Sequence, residues 1–367
     1  MIFEIFFVSL HHYKNIDMKK FFRFIILIVN LVFAGLLLLS SWAGVVSPHR
    51  FVWISILSYA FFPLLLCNVV FIIIWLCMSR WQFLISVAAI LLRYSFLPLF
   101  FQVGGTLDVE PAEENIKILS FNCHGFEGLD SDTLMTRDSG VCMFMEILDR
   151  EQPDVVCMQE CFLSRSNVEA FEERGYVHHF GVHGARANSP TIIHSRLKFY
   201  NVNTIDQVSK CYVDVSKNNR MVRVCCVHLD SYQLDNNDLE SLSNLSHAKG
   251  DRKAAHEIIG KFKETSRKHQ DEWDMDLKPM IENSDHPVII AGDYNDTPAS
   301  YLYQRATKVL KDPYVEQGRG FGTTYHGPYP AYRIDYILHS PELEALSYHR
   351  VKTNISDHYP IVAQFKI

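Results

Sequence analysis

Three hydrophobic stretches, residues 22–45, 51–78 and 82–103, constrain this chain more than any other feature of its sequence. Each is near or above the ~20 residues that an α-helix needs to cross a bilayer. The first two carry no charge in their central parts, and more apolar runs follow the first at once, so a cleaved leader does not account for it. The third is interrupted by Arg93. Such a charge costs about 2.5–3.5 kcal/mol on insertion scales, which the apolar runs on either side can offset; it reads as a contact between helices or a snorkelling side chain. Trp42, Trp53, Trp75 and Trp81 fall towards the ends of the stretches, where amphipathic rings favour the interface. The expectation is a tail over 1–21, three transmembrane helices within 22–103, an acidic linker over 104–114 and a separate domain over 115–367. Met18-Lys19-Lys20 has the look of a translation start, which would make 1–17 a spurious extension.

Orientation follows from the Lys and Arg bias of short loops. Lys19, Lys20 and Arg23 precede the first stretch and Arg80 lies between the second and third, which places both on the cytoplasmic side. Three crossings then put the C-terminal domain outside the cytoplasm, in an integral protein of a bacterial inner membrane. Were Arg93 to prevent the third crossing, that domain would be cytoplasmic. Three spans are too few for a transporter.

Of the 35 Lys and Arg and 41 Asp and Glu, seven and two lie before residue 104, leaving 28 basic against 39 acidic side chains beyond it. Tight non-specific nucleic-acid binding leaves a basic footprint, because its affinity comes from neutralising phosphates. That footprint is absent. The nine cysteines show no paired metal-site spacing and read as small buried hydrophobes.

Beyond residue 115, short β-rich runs alternate with polar loops. Strands are expected over 116–122, 155–160, 191–194, 221–229, 288–293, 333–338 and 361–365, and helices over 133–150 and 239–268. Polar residues recur at the strand ends: Asn122, Glu160, His228, Asp293 with Asn295, Asp335, and Asp357-His358 ahead of the last run. Singly, each has a plain reading as a turn residue or a satisfied histidine. Together they are poor choices for buried strands and suit a site for a hard, oxygen-liganded cation.

Phe-Asn-Cys-His-Gly (121–125), Met-Gln-Glu (158–160), Val-His-Leu-Asp (227–230), Gly-Asp-Tyr-Asn (292–295), Arg-Ile-Asp-Tyr-Ile (333–337) and Ser-Asp-His-Tyr-Pro-Ile (356–361) resemble, in order, the motifs of the endonuclease/exonuclease/phosphatase superfamily, the deoxyribonuclease-I-like proteins. The resemblance implies a four-layered α/β sandwich behind the three transmembrane helices. It also implies a divalent-metal-dependent phosphoester hydrolase, with Mg²⁺ or Mn²⁺ as cofactor. Carried over by motif, Asn122, Glu160 and Asp357 are the implied metal ligands. Asp293 would orient or deprotonate the attacking water, Asn295 would donate to the phosphate, and Asp335 would hold His358 at the scissile phosphate with His228 as a second histidine. Nuclease, sugar- or lipid-phosphate diesterase and phosphomonoesterase all stay open. The lipid bilayer is the other expected partner, and no protein partner is implied. The rival class is a non-catalytic membrane receptor or scaffold reusing the fold.

The match has departures. His124 stands where the abasic-site endonuclease branch has an acid, and Ile290-Ala291 and Tyr336 lack the inositol-polyphosphate phosphatase signature. The basic run within 239–268 reads as a solvated helix face. Residues 321–326 read equally as a pocket wall or as a loop turning into a strand. His178, His179 and His183 read as surface loop.

Overall fold

The structure is a computed structural model that describes residues 2–105, 114–126, 137–161, 165–182, 190–206, 208–234, 238, 252–327 and 332–367. Most of the acidic linker, His183 and residues 239–251 of the expected long helix lie outside the described residues.

Helices α1 (Ile2–Ser40) and α2 (Pro48–Cys77) contain windows, Met18–Ser40 and Pro48–Cys77, that are long and apolar enough to cross a membrane. Of those windows, 17% and 28% is buried. The third stretch departs from expectation. It forms α3 (Phe83–Leu91), nine residues long, followed by a 3₁₀ turn over Tyr94–Leu99. Arg93 sits at the break with non-helical φ −126° and ψ 23°. Nine residues rise only about 14 Å, so α3 is not by itself a membrane-length helix.

α1, α2 and α3 pack on one another around a polar seam. Asn30 Nδ2 donates to Ser86 Oγ (2.7 Å), Ser86 Oγ to Asn68 Oδ1 (2.8 Å) and Trp75 Nε1 to Asn30 Oδ1 (2.9 Å). The third stretch runs back along α2. Ser86 is level with Asn68, while Phe96 and Phe100 meet Phe61 at ring distances of 5.1 and 5.3 Å. Phe61, Leu64, Leu37 and Phe96 share a core with Ala299 of the C-terminal part, so the bundle is fused to it.

The C-terminal part begins with β1 (Phe101–Gln102) and β2 (Asn115–Asn122), then α4 (Arg137–Glu151), β3 (Val155–Gln159), α5 (Arg165–Glu172), β4 (His178–Val182), β5 (Thr191–Ser195), β6 (Phe199–Thr204), β7 (Lys210–Lys217), β8 (Arg220–His228), α6 (Arg252–Asp271), β9 (Val288–Asp293), β10 (Gly320–Phe321), β11 (Asp335–His339), β12 (Glu344–Arg350) and β13 (Ile361–Lys366). One sheet has the order β12-β13-β2-β3-β5-β4, the other β11-β9-β8-β7-β6. β3, β5, β9 and β11 are buried throughout, which is why β3 and β9 read as apolar runs up to their polar ends. His178 and His179 are not in a loop: they open β4.

The sheets share one core. Ile118, Val155 and Ile193 of one meet Val213, Val224, Ile289 and Ile337 of the other. On the outer face of the first sheet, Leu119 and Phe121 pack with Phe144 and Leu148 of α4. On that of the second, Val227, Ile290 and Tyr336 pack with Trp273, Leu277 and Leu302. The alternation of Ile118 inward and Leu119 outward along β2 is the two-residue period that a strand between two apolar layers requires.

Candidate active site

β2 and β3 pair in parallel, as do β8 and β9 in the other sheet. The ends of β2 and β9 meet across the sheets, Asn122 touching Asp293, so all four end at the same edge of the molecule. β11 runs antiparallel to β9 with Asp335 opposite Asp293, so it starts where β9 stops. β13 is antiparallel to β2, which brings the preceding Ser-Asp-His turn to that edge too. Ser356 Oγ clasps it there by donating to the Asn122 carbonyl (2.8 Å).

The close pairing of β8 and β9 depends on one glycine. A Cβ on Gly292 would lie 1.8 Å from the Val227 carbonyl oxygen. Two polar residues just past their strands, Glu160 (φ 55°) and Asn295 (φ 50°), adopt left-handed backbone. Non-glycine residues pay of order 1–3 kcal/mol to be held in such regions, and they do so most often at functional sites.

The side chains meet. Asn122 Nδ2 lies 3.1 Å from Glu160 Oε1 and 3.0 Å from Asp293 Oδ2, donating to both. His228 Nε2 is 3.6 Å from each of the same carboxylates. His358 Nδ1 lies 2.9 Å from Asp335 Oδ2, and its Nε2 is 3.8 Å from Asp293 Oδ2. Thr324 Oγ1 steadies Asp335 by accepting from the Ile334 and Asp335 N–H groups, both at 3.0 Å. Asp293 Oδ1 accepts from the Asn295 N–H (2.8 Å), while Asn295 Nδ2 donates to the Leu229 carbonyl (2.9 Å). Asp357 lines the same cavity, its Oδ1 3.3 Å from Ser356 Oγ. Every sequence-predicted site residue is thus brought to one place.

Electrostatics divide the acids. Burial and the neighbouring Asp335 charge push the Asp293 carboxyl up to about 6. Burial works against charge on Glu160 as well, but the His124 hydrogen bond, the His228 charge and Asn122 prevail and hold it down to about 2. Burial would discharge His358, yet the Asp335 and Asp293 carboxylates raise it to about 10, so its ring is an imidazolium at neutral pH.

That pairing bears on where a cation can sit. Ligand atoms of Asp293, Asp335 and His358 lie within 4.8 Å of one another. His358 Nδ1 is already engaged by Asp335 Oδ2, so this trio reads as a proton network. Glu160 and Asp357 supply anionic oxygens at the cavity and Asn122 an amide oxygen with a second lone pair, a donor set that fits a hard divalent cation. No Lys or Arg lines the cavity among the described residues.

Several contributors carried little sequence signal. His124 Nδ1, 3.1 Å from Glu160 Oε2, sits inside a quoted motif but had no role there. Tyr325 lines the cavity beside the His358 ring (5.1 Å) and bridges by backbone to Tyr332 and His358, so residues 321–326 are both wall and loop. Tyr232 and Phe262 line it as well, and beside Tyr232 the His269 ring lies between Asp296 Oδ2 (3.0 Å) and the Asp230 carbonyl (2.7 Å). The last contributor, Tyr59, comes from α2.

Two facing sheets that deliver carboxylates, amides and histidines to one edge define a class, the deoxyribonuclease-I-like proteins. The chain belongs to the endonuclease/exonuclease/phosphatase family, whose model matches residues 119–358. A model described as a domain of unknown function matches residues 20–100. Among characterised proteins, the DNA-(apurinic or apyrimidinic site) endonuclease of Dictyostelium discoideum is 24% identical over 293 residues, 70% of this chain and 72% of that protein. An endonuclease/exonuclease/phosphatase from Bacteroides vulgatus aligns with TM-score 0.49 at 16% identity, over 69% of this chain and 99% of that one. The human Nocturnin catalytic domain aligns with TM-score 0.48 at 16% identity, over 70% and 96%.

Proposed function

We infer that the chain is a divalent-metal-dependent phosphoester hydrolase, its catalytic domain (115–367) carried at a membrane by the helices before it. The observation that carries this reading is the Asn122–Glu160–Asp293–His358–Asp335 constellation, drawn from both sheets with its acids set to opposite protonation tendencies. Family membership, with its phosphoester-hydrolysing members, points the same way, and two packed sheets flanked by helices support the four-layered sandwich.

A phosphoester repels nucleophiles through its own charge, so the site must place water, receive a proton and meet developing negative charge. Asp293, raised towards neutrality, orients the water and takes its proton. Asp335 fixes the His358 ring through Nδ1, leaving the Nε2–H to face the phosphate oxygens. His228 stands on the other side of Asp293, and Asn295, its backbone N–H on Asp293, offers its remaining amide hydrogen. Asn122, Glu160 and Asp357 would hold the cation, which supplies charge withdrawal from the ester.

The membrane reading rests on exposed apolar helices. Phe21, Phe24, Leu31, Leu66, Val70 and Ile73 are each about half exposed. α3 and its 3₁₀ turn together rise about 26 Å and bring the chain back to Phe61. This supports a third crossing made in two pieces, with the N-terminal basic cluster and the catalytic domain on opposite sides.

The test is a hydrolysis panel with the full chain in detergent: bis-nitrophenyl phosphate, DNA, RNA and phospholipids, with Mg²⁺ or Mn²⁺ and with EDTA. Metal-dependent turnover is expected, and Asp293→Asn and His358→Ala each lower it at least ~10³-fold without changing the circular dichroism spectrum. Full activity in either variant would overturn the assigned roles. A non-catalytic scaffold predicts no turnover on any substrate.

A further inference from the structure

Hydrolysis of a phosphoester needs only the polar floor of the site, yet the cavity, about 460 Å³, has an aromatic side as well. Tyr59 is the centre of that side. Its ring makes edge contacts with Tyr232 (5.2 Å), Phe262 (5.5 Å) and Tyr332 (5.4 Å). Its hydroxyl donates to the Asn295 carbonyl (2.8 Å), with Asp296 Oδ1 at 3.2 Å. One side chain of an apolar helix is therefore shared between the cavity wall and the loop that carries Asn295.

Position along α2 gives this a meaning. Two residues beyond Tyr59, Phe61 enters the bundle core. Leu66, Val70 and Ile73 follow, half exposed, on the same helix. At ~1.5 Å per residue they lie about 10–20 Å from Tyr59 along the axis, so the cavity stands next to the apolar outer surface of the bundle. Above Tyr59 the helix is held to α6: Ser47 Oγ donates to Gln270 Oε1 (2.7 Å), and Lys263 Nζ sits 3.3 Å over the Trp53 ring. The catalytic part thus grips α2 where the helix leaves the bundle.

We propose that the site takes a lipid-borne phosphoester, with its phosphate on the Asp293–His358 floor, the adjoining glycerol against the Tyr59–Phe262–Tyr332 wall, and the acyl chains remaining in the bilayer beside α2. This rests on the phosphoesterase reading above. Tyr59 is then a specificity-determining residue contributed by the membrane helix. The charge pattern favours this substrate over a polynucleotide. A strand of phosphates needs a cationic track, whereas this cavity has no Lys or Arg lining it among the described residues and the chain beyond residue 103 carries 39 acids against 28 bases. In the reaction, water oxygen bonds to phosphorus, one ester P–O bond breaks, and the proton lost by water passes through the site to the departing alcohol.

The experiment uses the full chain reconstituted with Mg²⁺ into phosphatidylcholine vesicles. They are doped with phosphatidic acid, a monoester, or phosphatidylglycerol, a diester. The chain-free counterparts glycerol 3-phosphate and glycerophosphoglycerol, and single- and double-stranded oligonucleotides, are assayed in parallel. A lipid-borne ester is expected to exceed its chain-free counterpart at least 100-fold in kcat/KM, and Tyr59→Ala to cut that ratio at least tenfold. Tyr59→Phe, which keeps the ring and loses the hydroxyl, retains most of the ratio. Turnover of bis-nitrophenyl phosphate with no preference for the lipid form, or a preference for oligonucleotides, overturns this proposal and leaves the phosphoesterase reading standing. No turnover of any phosphoester overturns both.

Discussion

At the scale of single residues, the pair behind the catalytic wall is as informative as the motif residues. His269 is buried, which alone would discharge it, but Asp296 bonded at Nδ1 raises it to about 9 from an ordinary 6.5. A raised folded-state value means stability that is fully present below about 6.5 and lost as pH climbs through about 9. His269→Asn is therefore expected to cost on the order of 2–3 kcal/mol at pH 6 and under ~1 kcal/mol at pH 10. Thermal unfolding of both proteins at the two pH values checks this; an equal gap at both would refute the ion pair. The sequence hid His269 one residue past the charged run of 239–268, which reads as a solvated face. Tyr59 was hidden for the opposite reason, since an aromatic in a hydrophobic stretch looks like any other lipid-facing ring. Motif residues were legible because acids and amides at the ends of buried strands have few other reasons to be there.

At the scale of elements, legibility tracked burial. β3 and β9 are buried throughout and stood out as apolar runs, while β6 is almost wholly exposed beyond its first residue and left no such mark. β4 and β12, at the two ends of the six-stranded sheet, were equally silent. The third apolar stretch misled because composition records hydrophobicity and not continuity: its helix stops at Arg93, and the 3₁₀ turn that follows is held by Phe61. The site itself hangs on how closely β8 approaches β9. Gly292→Ala would drive a methyl group into the Val227 carbonyl and part the two strands. A fall of about 10 °C or more in melting temperature is expected, with loss of activity, and a melt within ~2 °C of the parent would show that the strands can give way.

At the scale of the whole molecule, the helices and the sheets are a single body. The seam of Asn30, Asn68, Ser86 and Trp75 fixes the register of the bundle, because its side chains hydrogen-bond to one another across the helices. Asn30→Leu strands the Trp75 N–H, for an expected loss of about 1–2 kcal/mol, read as a melt lowered by several degrees in detergent. No change would mean that the seam does not set the packing.

Since Ser47, Ser58 and Tyr59 hold α2 to the hydrolase and Tyr59 buttresses the turn at Asn295, a cut that removes α2 is not neutral. A water-soluble fragment begun after residue 103 would bare the rings of Tyr232 and Phe262 as a sticky scar and leave that turn without its brace. Any portable version must bring a graft of the first four turns of α2 along with it, the way a hinge must be moved together with its pin.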